Sequence, residues 1–248
     1  FNARDNGIVS DVMTTTLKEF SHDWNDSVHK PGTHVEEGIT VHRYDPLKPR
    51  RHFYHVLNGS KLMEGGTQVL KDKGWSSPLS DFEQSYYLRN MVYSPDLIEG
   101  LRSKYEEYDF FIYIPYMFNC TAIGGQVTAP KSIVIPCLHD ERYAFMNVYK
   151  DLMSKVLGSI YHVKSEKCLA ENIYGVSNLK NATLIGEQVN TGVAIGSEKA
   201  FREKFDIKDP FILYVGRKIT GKNLHLLVDY FKEYKRSNPS ALKLVILG

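Results

Sequence analysis

The feature that most constrains the fold is the alternation, from residue 109 onward, of short apolar runs with segments of helical length. The runs at 109–114 (DFFIYI), 131–136 (KSIVIP), 159–163 (SIYHV) and 182–185 (ATLI) read as strands. Between them, 142–157 reads as a helix apolar nearly all round, hence buried. Residues 166–174 read as a helix with Ser165 as its N-cap. The pattern returns with a strand at 211–215 and an amphipathic helix over 223–236, which carries Leu224, Leu227, Val228 and Phe231 on one face. A strand at 242–247 follows. Strands separated by helices at this spacing build βαβ units and a parallel sheet. Earlier, 7–14 and 38–44 read as strands joined by a polar loop holding His22, Trp24, Asn25, Pro31 and Gly32. Residues 82–108 read as mostly helical, with a break at Ser94-Pro95. The fold class is therefore α/β, and ligands on such sheets bind at the carboxyl ends of the strands.

The polar, irregular stretch 187–209, with Gly192, Gly196 and a short helical piece around Phe201, reads as a domain junction. The expected division is 1–190 and 191–248, the second part being too short to stand as a domain by itself. The chain opens on Phe1, and it closes on ALKLVILG, an apolar run with no helix after it to cover it. Both ends lead us to expect a fragment. Its 31 Lys+Arg and 29 Asp+Glu give a net charge of +2, which argues against a protein built mainly to bind nucleic acid. Cys120, Cys137 and Cys168 are scattered and form no CxxC, so neither a disulfide framework nor a structural zinc site is expected. No run approaches the length of a membrane span and no leader-like apolar segment opens the chain, so the cytoplasm is the expected compartment.

Candidate chemistry centres on Tyr214-Val-Gly-Arg-Lys-Ile-Thr-Gly-Lys-Asn223. A strand runs into a loop with two glycines and three cations, and then into a helix. Helix N-termini offer unpaired N–H groups and the positive end of a dipole, which suit phosphate. Arg217 supplies a planar fork, Lys222 a mobile point charge, and Gly216 the strand-to-loop exit. The plain alternative is a solvated loop with surface cations. The stretch nearly matches a Walker A loop, with Gly216, four residues and Gly221-Lys222, but Asn223 stands where Ser or Thr would hold Mg²⁺.

Three further stretches stand out. Ile135-Pro-Cys-Leu-His139 presents an imidazole at a strand's carboxyl end, with Asp140 as a candidate N-cap for the next helix; a purely structural loop His is the alternative. His139, Asp140 and Glu141 are adjacent and cannot all point at one metal ion. Tyr113-Ile-Pro-Tyr-Met-Phe-Asn119, followed by Ile123-Gly-Gly125, should line the same cleft, with Tyr116, Asn119, Gly124 and Asp140 as candidate acceptor-side residues; packing explains the aromatics as well. Arg43 and the basic, aromatic run 46–55, with Arg50 and Arg51, could meet an anionic acceptor or a membrane surface, or form a solvated turn before a helix.

Together these motifs resemble the retaining GT-B glycosyltransferases of family 4, the group 1 glycosyl transferases. The stretch from PFILYVGRKITGKN to the closing LKLVILG resembles the start of their donor domain. IPCLHDE resembles the strand-end His of their acceptor domain, ATLIGEQVN their interdomain crossover, and DVMTTT with GITVHRY their early acceptor-domain strands. The resemblance implies a Rossmann-like parallel sheet on the acceptor side and an incomplete second Rossmann-like domain. It implies that Arg217 and Lys222, with Gly216, hold the diphosphate of a nucleotide-sugar donor and that His139 contacts the transferred sugar. Transfer would retain the anomeric configuration, use no metal or other cofactor, and serve a glycan or glycolipid acceptor at the inner face of a membrane. Gln188 and Asn190 depart from the family's usual Gly and Asp at the crossover. The family's Glu-x7-Glu segment would lie beyond Gly248 and its first glycine-rich turn before Phe1, so this stretch alone is expected to be inactive. A P-loop-like NTPase and a non-catalytic binding domain of GT-B shape are the alternatives.

Overall fold

The computed structural model describes residues 6–18, 24–48, 56–187, 192–193 and 196–248. The chain divides into two compact units, Phe1–Gln188 and Val189–Gly248. The first contains strands β1 (Asp11–Thr15), β2 (Gly32–Glu36), β3 (Ile39–Tyr44), β4 (Phe111–Tyr113), β5 (Ser132–Val134), β6 (Gly158–Tyr161) and β7 (Ala182–Leu184). They form a three-stranded sheet of order β1-β3-β2 and a four-stranded sheet of order β4-β5-β6-β7.

The four-stranded sheet is parallel throughout. Helices Asn147–Lys155 and Lys164–Tyr174 form its later crossovers. Their inner faces bury Tyr149, Leu152 and Met153, and Ala170, Ile173 and Tyr174. Tyr87, Tyr116, Tyr149, Tyr161 and Tyr174 are among the largest fully buried side chains, so much of the chain's aromatic content is core. Burial pushes the Tyr113 and Tyr161 hydroxyls up to about 12.

The expected break at Ser94-Pro95 is present, and the geometry gives its reason. Helix Asp81–Asn90 ends before it, and helix Pro95–Ser103 starts with proline where no backbone donor is needed. The Ser94 hydroxyl accepts from the Leu97 N–H and donates to the Asp45 carbonyl. Ser80 and Glu83 form a reciprocal capping box on the helix before it.

Three local expectations are corrected. The stretch between the first two expected strands is not all loop, because Gly32–Glu36 pairs antiparallel with β3. Glu37 and Gly38 both take positive φ at the turn, the geometry of a tight two-residue hairpin. β2 is exposed along nearly its whole length, so it carries no apolar alternation to reveal it. Ser165 does not cap its helix, which already begins at Lys164 after Val163. The expected helix over 142–157 is a tight turn at Arg142–Phe145 followed by helix Asn147–Lys155.

The second unit holds helix Glu198–Phe205, capped by the Ser197 hydroxyl, and strands β8 (Phe211–Val215) and β9 (Lys243–Leu247) with helix Leu224–Ser237 between them. β8 and β9 pair in parallel over their full length, forming one βαβ unit.

Candidate functional site

In the first unit His139 and Asp140 lie on the loop that leaves β5. Tyr113 accepts from the Ile135 N–H, and Pro136 accepts from the Tyr116 N–H, so the chain beyond β5 stays aligned with the chain beyond β4. It then turns at Cys137, whose φ is +52°. Leu138 is buried and His139 and Asp140 emerge into solvent. The anchor of this loop is Glu166, which is buried. One of its carboxylate oxygens accepts the Leu138 N–H and the other accepts the His162 N–H, both at 2.8 Å. A single carboxylate thus ties the exits of β5 and β6 together. This residue escaped sequence reading, which assigned the start of that helix to Ser165. The only available signal was a Glu in a helical first turn, where acidic residues are common for other reasons.

The three side chains that follow His139 diverge. Asp140 accepts from Lys71 Nζ at 2.5 Å and from Thr67 Oγ1 at 2.8 Å. Burial works against the charged carboxylate, but the Lys71 and Thr67 hydrogen bonds outweigh it and hold the Asp140 pKa below the usual range. Asp140 therefore does not cap the following turn, which starts after Glu141 with no side-chain cap. A cation and a hydroxyl are better partners for it than one backbone N–H. Glu141 accepts from Tyr116 Oη at 2.8 Å. Arg142 Nε donates to the Lys61 carbonyl at 2.6 Å. His139 keeps no side-chain hydrogen bond among the described residues. At the exit of β6, His162 Nδ1 lies 3.5 Å from a Glu187 oxygen.

The other acceptor-side candidates sit elsewhere. Tyr116 is buried, with its ring edge-on to Tyr149, and burial pushes its hydroxyl far above the ordinary range. Asn119 is buried and donates to the Leu88 carbonyl at 2.6 Å. Gly124 is small for packing: a Cβ there would lie 2.9 Å from Leu101 and 3.2 Å from Tyr113. These three are interior positions supporting the sheet, and none of them reaches His139. Arg43 is engaged by Glu36 through a two-nitrogen fork. Residues 49–55 and 188–191 lie outside the described residues, and with them Arg50, Arg51, Gln188 and Asn190.

In the second unit β8 leads through Gly216 into a loop and then helix Leu224–Ser237. The Gly216 N–H still donates to the Leu247 carbonyl, so the exit stays held beside the end of β9. Tyr214 Oη donates to the Arg217 carbonyl at 3.3 Å. Thr220–Lys222 forms one tight turn, and Asn223 takes left-handed geometry with φ +53°. The helix then begins with no side-chain cap and no acidic residue in its first turn. Arg217, Lys218 and Lys222 are exposed, and none is ion-paired among the described residues. The loop thus presents three cations beside an uncapped helix start.

Among the described residues no group of three or more His, Cys, Asp or Glu is placed to hold a metal ion, and no helix is long and apolar enough to cross a membrane. No protein-family model matches the chain, and no curated protein matches it.

Proposed function

We propose that the chain is the acceptor-side domain and the first part of the donor-side domain of a retaining, metal-independent glycosyltransferase that uses a nucleotide-diphosphate sugar. The observation that carries this reading is the loop of the second unit. Arg217, Lys218 and Lys222 have no ion pairs among the described residues, and the helix start beside them has neither a side-chain cap nor an acidic first turn. Fixed positive groups of this kind stabilise the charge that develops on a departing diphosphate. In the reaction, the bond between the anomeric carbon and the diphosphate oxygen breaks. The acceptor oxygen bonds to that carbon on the same face, and the nucleoside diphosphate leaves with the acceptor's proton. His139, exposed at the exit of β5, is the residue of the first unit assigned to the transferred sugar. The acceptor is a glycan or glycolipid.

The NTPase alternative is weakened by Asn223. Its left-handed conformation suits Asn and disfavours a β-branched Thr, so the loop departs from a Walker A in geometry as well as in sequence.

The test is a panel of UDP-, GDP- and ADP-sugars given to the complete polypeptide with cell-extract acceptors. Nucleoside diphosphate release is followed for wild type and Arg217→Ala. Release with one donor, abolished by the substitution, supports the reading and names the donor. Absence of release with every donor overturns it in favour of a binding domain.

A further inference from the structure

His139 is exposed, and it sits between two anchored neighbours. On one side the Leu138 N–H donates to the buried Glu166 carboxylate. On the other, the Asp140 carboxylate accepts from Lys71 Nζ at 2.5 Å and Thr67 Oγ1 at 2.8 Å, partners 69 and 73 positions earlier in the chain. The same early stretch, from the helical turn Asn58–Met63 to the helical turn Gln68–Asp72, also grips the residues that follow. Arg142 donates through Nε to the Lys61 carbonyl at 2.6 Å and through Nη1 to the Gly66 carbonyl at 3.1 Å, and Tyr143 Oη donates to Asn58. Lys71 is itself fixed. Its neighbour Leu70 is buried, and its ammonium lies 5.8 Å from the centre of the Trp75 ring, which stacks on buried Phe145.

The pair of Lys71 and Asp140 is a weak stabiliser. Its side chains are 22% and 49% exposed, and ion pairs this open add little to folding stability. What the pair does fix is the path of the chain just after His139, opposite the point that Glu166 fixes just before it. We infer that Lys71, with Thr67, is a positioning residue for His139, acting through Asp140 to hold the imidazole where it meets the transferred sugar. This rests on the reading of His139 given above. Misplacing a contacting group by about 1 Å costs on the order of 100-fold in rate. An open ion pair can therefore matter to transfer while mattering little to the fold.

A cycle of Lys71→Met, His139→Ala and the double variant tests it in the complete polypeptide, with whichever UDP-, GDP- or ADP-sugar supports release. Lys71→Met keeps the stem and removes the ammonium. It should lower kcat about 10-fold. Donor KM should change little, because the diphosphate contacts are assigned to Arg217 and Lys222, and so should the thermal midpoint. Once His139 is alanine, the same substitution should cost less than about 2-fold, because nothing is left to position. Lys71→Arg restores the charge and should recover most of the rate. Thr67→Val removes one neutral hydrogen bond, should cost about 3-fold, and carries the cycle if Lys71→Met proves unstable. The His139 ring resonances give a reading apart from activity: they should shift or broaden in Lys71→Met while those of His225, in the other unit, stay in place. An undiminished kcat, the same fold-loss with and without His139, or unmoved His139 resonances would overturn the inference and leave the transferase reading standing. Absence of release by wild type with every donor overturns both.

Discussion

Tyr108 donates a 2.7 Å hydrogen bond to Asp11, 97 positions earlier in the chain, and so ties the amino-terminal ends of β4 and β1. Burial, reinforced by Asp11, pushes the Tyr108 hydroxyl pKa well above that of a free tyrosine. A raised pKa means that the bond's contribution is fully present below the unfolded value of about 10 and fades only as the pH climbs above it. Tyr108→Phe should lower the unfolding free energy by about 1–2 kcal/mol. The difference should stay constant from about pH 6 to pH 9. Urea midpoints across that range check both statements.

The two-sided anchor at Glu166 leads to a second expectation. It accepts the backbone N–H groups of Leu138 and His162 at 2.8 Å each, in a buried position. Glu166→Ala strands both donors and should cost about 3 kcal/mol. Glu166→Gln keeps one acceptor but turns an amide donor toward the other N–H, so it should recover less than half of that loss. Denaturant unfolding of the two variants gives the comparison, and equal stability of Glu166→Ala and wild type would remove Glu166 from its place under the His139 loop.

Much of the parallel framework was legible because its strands carry β-branched and aromatic runs of the right length. The four strands β4 to β7 and the pair β8 and β9 fall on the expected runs, a little shorter in several cases and with β6 starting one residue early, at Gly158. What sequence alone missed involves residues whose partners are distant. β2 is too exposed to show a pattern, and its existence depends on pairing with β3. Asp140 read as a cap because the next few residues looked helical, whereas its partner Lys71 stands 69 positions away. Tyr116 and Asn119 read as cleft residues because they follow a strand. Their chain folds back under the sheet, where Tyr116 meets Glu141 and Asn119 meets Leu88.

A third expectation concerns acid. The Lys61 ammonium, helped by the Ser80 N–H, holds the Glu83 carboxyl down to about 2 from 4.5. A depressed carboxyl contributes stability that is present above 4.5 and is lost as the pH falls toward about 2. Wild type should therefore exceed Glu83→Gln in stability at neutral pH, and the gap should close through that window. Thermal midpoints of the two proteins measured down the acid limb decide it. A gap that persists at the lowest pH would mean that Glu83 acts through packing, not charge.

The loop after β8 carries the last prediction. Arg217 and Lys222 are exposed and hold nothing together among the described residues, so replacing them should leave stability within about 0.5 kcal/mol. If they hold a diphosphate, Arg217→Ala should weaken UDP, GDP or ADP binding by about 10-fold or more, because the lost contact is a charge-assisted fork. Lys222→Ala should weaken it less, since a lysine contributes as a mobile point charge. Arg217→Lys should recover only part of the loss, because it restores the charge without the fork. Calorimetric titration of each nucleoside diphosphate at two salt concentrations reads all three variants. Equal affinities across the series, beside an unchanged thermal midpoint, would leave the loop as a solvated turn and withdraw its part in donor binding.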